Sequence, residues 1–242
     1  MLYESWHSGQ KKEFLFNGRR TVIVEPETPL PGKPWLWRME FFGAFPSVDI
    51  ALLKAGYYVV YHSVSNRYGD PWSVGELNKF QDWVEAEYGL AKKPALYGMS
   101  RGGLYAVNYA LAYPERTGLL YLDAPVLDIR SWPGRYEPSA REWKECLECY
   151  GLTEETVKDF RGTPLDRAEE VAGLNIPLIA VVGDVDRVVP VTENIDPFMA
   201  RYKAAGGKMA LIRKPHCDHH PHSLEDPAPI VEFIRRELEK RI

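Results

Sequence analysis

The chain has 242 residues, 45% of them apolar and 26% charged, and a formal net charge of −4. That balance fits one globular domain whose core needs no disulfide staples, and it excludes a disordered chain. The mild negative charge forms no basic stripe and no apolar run reaches the roughly 18 residues of a spanning helix, so neither a nucleic-acid nor a membrane partner is expected.

The first residues, Met1-Leu2-Tyr3-Glu4-Ser5-Trp6-His7, carry no apolar signal region, which makes the cytoplasm the default compartment. Further on, short runs rich in Val, Leu, Ile and Tyr alternate with amphipathic stretches. The runs predict strands over 21–25, 34–42, 57–64, 94–99, 118–124, 177–183 and 208–214. Three- and four-residue apolar spacing predicts helices over 46–55, 74–88, 102–113, 192–205 and 228–241. Alternation of this kind gives an α/β protein, a mostly parallel central sheet flanked by helices.

About fifty residues separate the strand ending near Ala124 from the one beginning at Pro177, too many for a plain connection. We read residues 128–168 as a small helical cap, with helical patterns at 140–150 and 154–160, over the crevice at the carboxyl ends of the strands. The three cysteines cannot all pair internally, and Cys146 and Cys149, three apart on one of those patterns, read as reduced thiols.

Gly98-Met99-Ser100-Arg101-Gly102 falls where a predicted strand meets a predicted helix. That turn exposes the serine as a nucleophile, and its glycines let strand and helix pass closely. The Arg101 N–H is one oxyanion donor, and the loop after the 34–42 strand supplies the second, from Phe41 or Phe42, with Gly43 giving the turn room. The Arg101 side chain points elsewhere, to a carboxylate such as Glu40 or to solvent. An acid follows the 177–183 strand, Asp184 or Asp186, and His216, His219, His220 and His222 crowd the stretch after the 208–214 strand. Ser, Asp and His then succeed one another at the ends of separate strands. Adjacent histidines rarely converge on one ion without a ligand spacing, so no metal is expected, and the chemistry calls for no cofactor.

From about residue 21 onward the chain resembles the α/β-hydrolase superfamily. More narrowly it resembles bacterial serine esterase-like hydrolases found with polysaccharide-degrading enzymes. The carriers are the Trp35-rich segment 34–46, the glycine-serine segment 98–103 and the histidine-rich segment 219–227. The resemblance implies Asp186 as the acid and His219, first of its run, as the base. It departs at Asp218, where relatives commonly carry glycine. It also implies an acylated carbohydrate: a serine carboxylester hydrolase removing a small acyl group from a small-molecule or oligosaccharide ester. Trp132 and Tyr136 are candidate sugar-stacking residues, while Trp35 and Trp37 share one strand face and read as core. The competing readings are a prolyl-oligopeptidase-like serine peptidase and a binding module on a hydrolase fold.

Overall fold

A computed structural model describes residues 2–241. Nine strands form one sheet in the order β1-β2-β3-β5-β4-β6-β7-β8-β9. They are β1 (Leu2–Ser5), β2 (Gly9–Phe16), β3 (Arg19–Pro26), β4 (Trp35–Arg38), β5 (Tyr58–His62), β6 (Ala95–Met99), β7 (Leu119–Asp123), β8 (Leu178–Gly183) and β9 (Met209–Lys214). The pairings from β1 through β3 to β5 are antiparallel, and all those from β5 to β9 are parallel. Strands β4 to β8 are buried along their whole length. Covered on both faces, they read in the sequence as continuous apolar runs without polar alternation.

The helices are α1 (Ser47–Lys54), α2 (Pro71–Tyr88), α3 (Gly102–Ala112), α4 (Ala140–Tyr150), α5 (Ala168–Gly173), α6 (Ile195–Ala204) and α7 (Ala228–Leu238). One face of the sheet packs Trp35, Trp37 and Leu96 against Phe80, Tyr105, Tyr109 and Phe198 of α2, α3 and α6. The other packs Tyr97, Tyr121 and Val181 against Val48, Leu52, Ile230 and Ile234 of α1 and α7. Trp35 and Trp37 are fully buried and stack at 5.1 Å, as core residues.

The structure departs from the sequence reading in a few elements. β1 and β2 were not expected, because β1 is a four-residue edge strand and, in β2, Lys11, Lys12 and Glu13 mask the apolar set Phe14 and Phe16. α2 begins three residues early, at Pro71, because the Asp70 carboxylate accepts from Ser73 N at 2.9 Å and proline suits the first helical position. β4 stops at Arg38. The apolar residues after it form a loop with positive φ at Phe41, Gly43 and Phe45, which the buried Arg38 guanidinium holds by donating from both Nη atoms to Ala44 O at 2.9 Å.

Between β7 and α5 the chain leaves the sheet and carries α4 and a turn of 3₁₀ helix at Thr156–Lys158, where a helix over 154–160 was expected. Its own apolar cluster joins Val126, Ile129, Cys146, Leu147 and Val157 to Tyr68, Leu104 and Val189 of the body. Arg130 closes its base, bonding Asp128 Oδ1 at 2.7 Å and both Asp166 oxygens at 2.8 and 2.9 Å. Cys146, Cys149 and Cys217 are free thiols. Among the described residues, no helix is long and apolar enough to cross a membrane.

Candidate active site

Ser100 sits between β6 and α3 with φ +50°, a conformation that strains any residue with a Cβ and that lifts the hydroxyl clear of the sheet. Its N–H donates to Asp123 O at 2.8 Å, and its carbonyl accepts from Gly103 N and Val126 N, each at 2.9 Å. Close packing behind it needs glycine at two places. A Cβ on Gly98 would lie 2.9 Å from Gly102 O, and one on Gly103 would lie 2.7 Å from Pro125 Cβ and 2.8 Å from Val126 O. Gly102, the second glycine of the motif, has no such constraint, since its nearest neighbours would be Glu40 Cβ at 3.5 Å and Glu40 N at 3.7 Å. The close approach expected of the motif's second glycine belongs to Gly103.

Ser100 Oγ lies 3.0 Å from His219 Nε2, and His219 Nδ1 lies 2.7 Å from Asp186 Oδ2. His219 and Asp186 are buried, at 5% and 6% exposure, whereas Asp184 faces solvent. The second Asp186 oxygen accepts from Val188 N at 2.9 Å and Val189 N at 2.8 Å, which fixes the carboxylate plane. Among the described carboxylates, it is Asp186 that meets His219 Nδ1, and His216 stands exposed outside the group.

The Asp218 carboxylate ties the base loop to the acid loop. Oδ1 accepts from Arg187 N at 2.9 Å and His219 N at 2.8 Å, and Oδ2 accepts from Arg187 Nε at 2.7 Å. The backbone bonds from Arg187 and His219, then the Arg187 side chain, bring its carboxyl down to about 2.

A second carboxylate–histidine pair lies beneath the first. Buried Asp123, at the end of β7, accepts from Ser223 N at 2.6 Å and Tyr121 OH at 2.9 Å, and its other oxygen lies 3.1 Å from His222 Nδ1. Burial alone would raise this carboxyl. The bonds from His222 and Tyr121 and the Lys214 charge outweigh burial and hold it below its ordinary value. Asp123 is a residue that the sequence reading missed; its signal was an acid closing an otherwise apolar strand. The rings of His219, His220 and His222 lie 4.7 to 5.0 Å apart, steeply inclined to one another. The fold thus brings three near-adjacent histidines together in one group. Desolvation, then the neighbouring His222 and His219, lower the pKa of His220.

The Arg101 side chain turns away from the serine to Glu40, donating from Nε at 3.1 Å and Nη2 at 2.9 Å to one carboxylate oxygen, while Ser65 Oγ donates to the other at 2.6 Å. Its guanidinium also lies 5.1 Å from the exposed Phe41 ring. This pairing sets the loop after β4 against the start of α3. Among the described residues, the backbone N–H groups of Phe41, Phe42 and Arg101 donate to no protein acceptor, leaving them free for an oxygen, with the positive end of α3 behind Arg101. Trp132 is half-buried, its ring 6.2 Å from that of Tyr68. No ring contact or side-chain hydrogen bond ties Tyr136 to this group among the described residues; its carbonyl accepts from Ser139 N at 2.8 Å.

No family model matches the chain, and no curated protein matches it by sequence. Solved structures match its shape. A putative dipeptidyl aminopeptidase IV from Bacteroides ovatus aligns with a TM-score of 0.69 at 16% identity, over 95% of this chain and 35% of that one. An S-formylglutathione hydrolase from Agrobacterium tumefaciens aligns at 0.64 and 16%, over 99% and 97% of the two chains. Carboxyl esterase 2 from Tuber melanosporum aligns at 0.70 and 15%, over 100% and 89%. The chain spans about a third of the length of the dipeptidyl peptidases it matches. These likenesses, with the sheet order and the turn at Ser100, give the chain the α/β-hydrolase fold.

Proposed function

We propose that the chain is a serine hydrolase that cleaves small acyl esters through an acyl-enzyme, with Ser100 as nucleophile, His219 as base and Asp186 as the acid that orients it. The observation that carries this reading is the unbroken series Ser100 Oγ, His219 Nε2, His219 Nδ1, Asp186 Oδ2, with links of 3.0 and 2.7 Å, on a turn whose φ exposes the serine. Ser100 Oγ attacks the ester carbonyl as its proton passes to His219 Nε2, and Asp186 stabilises the imidazolium. The carbonyl oxygen becomes an anion held by the N–H of Arg101 and that of Phe41 or Phe42. Collapse breaks the bond to the alcohol, which takes the proton from His219. Water, deprotonated by the same nitrogen, then releases the acid and frees the serine.

The proposed substrate is an acetyl-like ester, on a carbohydrate in the reading that the sequence resemblance suggests. Exposed rings of Phe41 and Phe45 flank the serine and histidine loops and suit a small acyl group. The segment between β7 and α5 is the proposed cap, with the half-exposed Trp132 as its sugar-facing ring. A peptidase is the second reading, because the chain also matches parts of dipeptidyl and acylaminoacyl peptidases.

The test is covalent labelling by a fluorophosphonate together with release of p-nitrophenol from its acetate. Both should occur in the parent protein and vanish in Ser100→Ala; a fully active Ser100→Ala protein refutes the nucleophile. Acetylated oligosaccharides and short peptides, offered side by side, separate esterase from peptidase. In Trp132→Ala, KM should rise for the oligosaccharide and stay constant for p-nitrophenyl acetate.

A further inference from the structure

We propose that His219, His220 and His222 form a site for a divalent transition metal, suited to Zn²⁺, and that a metal bound there takes His219 away from Ser100. One ligand nitrogen from each ring lies within 4.8 Å of the others. Two of the rings are already prepared as ligands. His219 Nδ1 faces Asp186 Oδ2 at 2.7 Å and His222 Nδ1 faces Asp123 Oδ1 at 3.1 Å, and all four groups are buried. A carboxylate on Nδ1 puts the proton there and leaves Nε2 as a lone pair, the arrangement in which carboxylate–histidine pairs hold zinc. His222 is 6% exposed, and its Nε2 has no protein partner among the described residues.

The third ring supplies the movement that closure requires. Tetrahedral zinc with bonds of about 2.0–2.1 Å sets ligand nitrogens roughly 3.3 Å apart, so nitrogens now within 4.8 Å of one another must draw together. His220 can do this, because it is exposed, makes no hydrogen bond through its ring among the described residues, and rests only on Phe45 at 5.6 Å and its two neighbours. The fourth position falls to water or to Ser100 Oγ. Since His219 Nε2 is the atom that bonds Ser100 Oγ, metal and serine compete for one lone pair, and bound metal blocks proton transfer from the nucleophile. The blocking rests on the serine-hydrolase reading; the binding does not.

Zn²⁺ is titrated into metal-free protein against a chromophoric chelator, with Co²⁺ absorption as a second readout and p-nitrophenyl acetate hydrolysis followed in parallel. One equivalent should bind, and hydrolysis should fall with the same midpoint and return on adding EDTA. His220→Ala should keep the metal-free activity and lose at least about tenfold in affinity, since losing a ligand costs no less than losing the carboxylate behind one, about 10–100-fold. Cys217→Ser should bind as the parent does. Absence of binding up to about 1 mM Zn²⁺, equal affinity in His220→Ala, or binding lost in Cys217→Ser overturns the site. Full activity with the metal bound overturns the competition for His219. A protein inactive towards every ester refutes the hydrolase reading, and chelator competition still decides the metal site.

Discussion

Alanine at Gly102 and alanine at Gly103 should behave oppositely, although only Gly102 belongs to the five-residue motif. A Cβ on Gly103 stands 2.7 Å from Pro125 Cβ and 2.8 Å from Val126 O, and ordinary contact begins at 3.4 Å, so these backbone-bound atoms must retreat by about 0.6–0.7 Å. Overpacking of this kind costs about 1–3 kcal/mol. At about 2–4 °C per kcal/mol for a chain of this size, Tm falls by roughly 2–12 °C. The retreat also moves Val126, whose N–H holds Ser100 O at 2.9 Å, and a displacement approaching 1 Å at reacting atoms costs up to about 10²-fold in rate. Gly102 has 3.5 Å of room and an ordinary φ, so alanine there gains up to about 1 kcal/mol from reduced unfolded-state freedom, raising Tm by as much as about 4 °C. Thermal unfolding by circular dichroism and kcat for p-nitrophenyl acetate measure both effects. Equal destabilisation by the two substitutions, or a Gly103→Ala protein as stable and active as the parent, refutes the packing argument.

Asp186→Asn should lower kcat by about 10⁴-fold, the loss that follows when an amide holds the wrong histidine tautomer, with Asp184→Asn unchanged; steady-state kinetics on the pair checks the assignment. Asp123→Ala should destabilise by about 3–5 kcal/mol, because it leaves His222, Tyr121 OH and Ser223 N as buried groups without their acceptor; urea unfolding reads it. The Asp123 carboxyl is held below its ordinary value in the folded protein, so its contribution is complete above the unfolded-state pKa near 3.9 and is lost as pH falls through the folded value. The gap in stability between parent and Asp123→Asn should therefore be largest above about pH 5 and shrink below about pH 4; a gap that widens on acidification contradicts the sign.

Apolar runs made the interior strands legible, because a strand covered on both faces leaves no polar alternation to misread. The same signal overran at β4, where Met39, Phe41 and Phe42 continue the apolar run but a buried arginine bends them into a loop. The two N-terminal strands escaped because the edge strand β1 has only four residues and because Lys11, Lys12 and Glu13 break the hydrophobic pattern of β2 beside it. For the site, order along the chain brought out a serine, a pair of acids and a group of histidines. The residues alone left Asp184 and Asp186 open and the resemblance pointed to Asp186; the burial and direction that set the two acids apart are not contained in one sequence. Asp123 lay hidden because its partner Ser223 N is a hundred residues away, and Asp218, noticed only as a departure from glycine, kept its role hidden because its main donors are backbone N–H groups without side-chain identity.

The segment between β7 and α5 closes on itself through Arg130, and the hydrogen bonds that orient Ser100, His219 and Asp186 are made outside its helical part. On the function and cap proposed above, the part that would set which molecule enters and the parts that would move its protons are thus separate modules, joined at Val126, whose N–H holds Ser100 O. A lineage could exchange the former by recombination and acquire a new diet without rebuilding the latter.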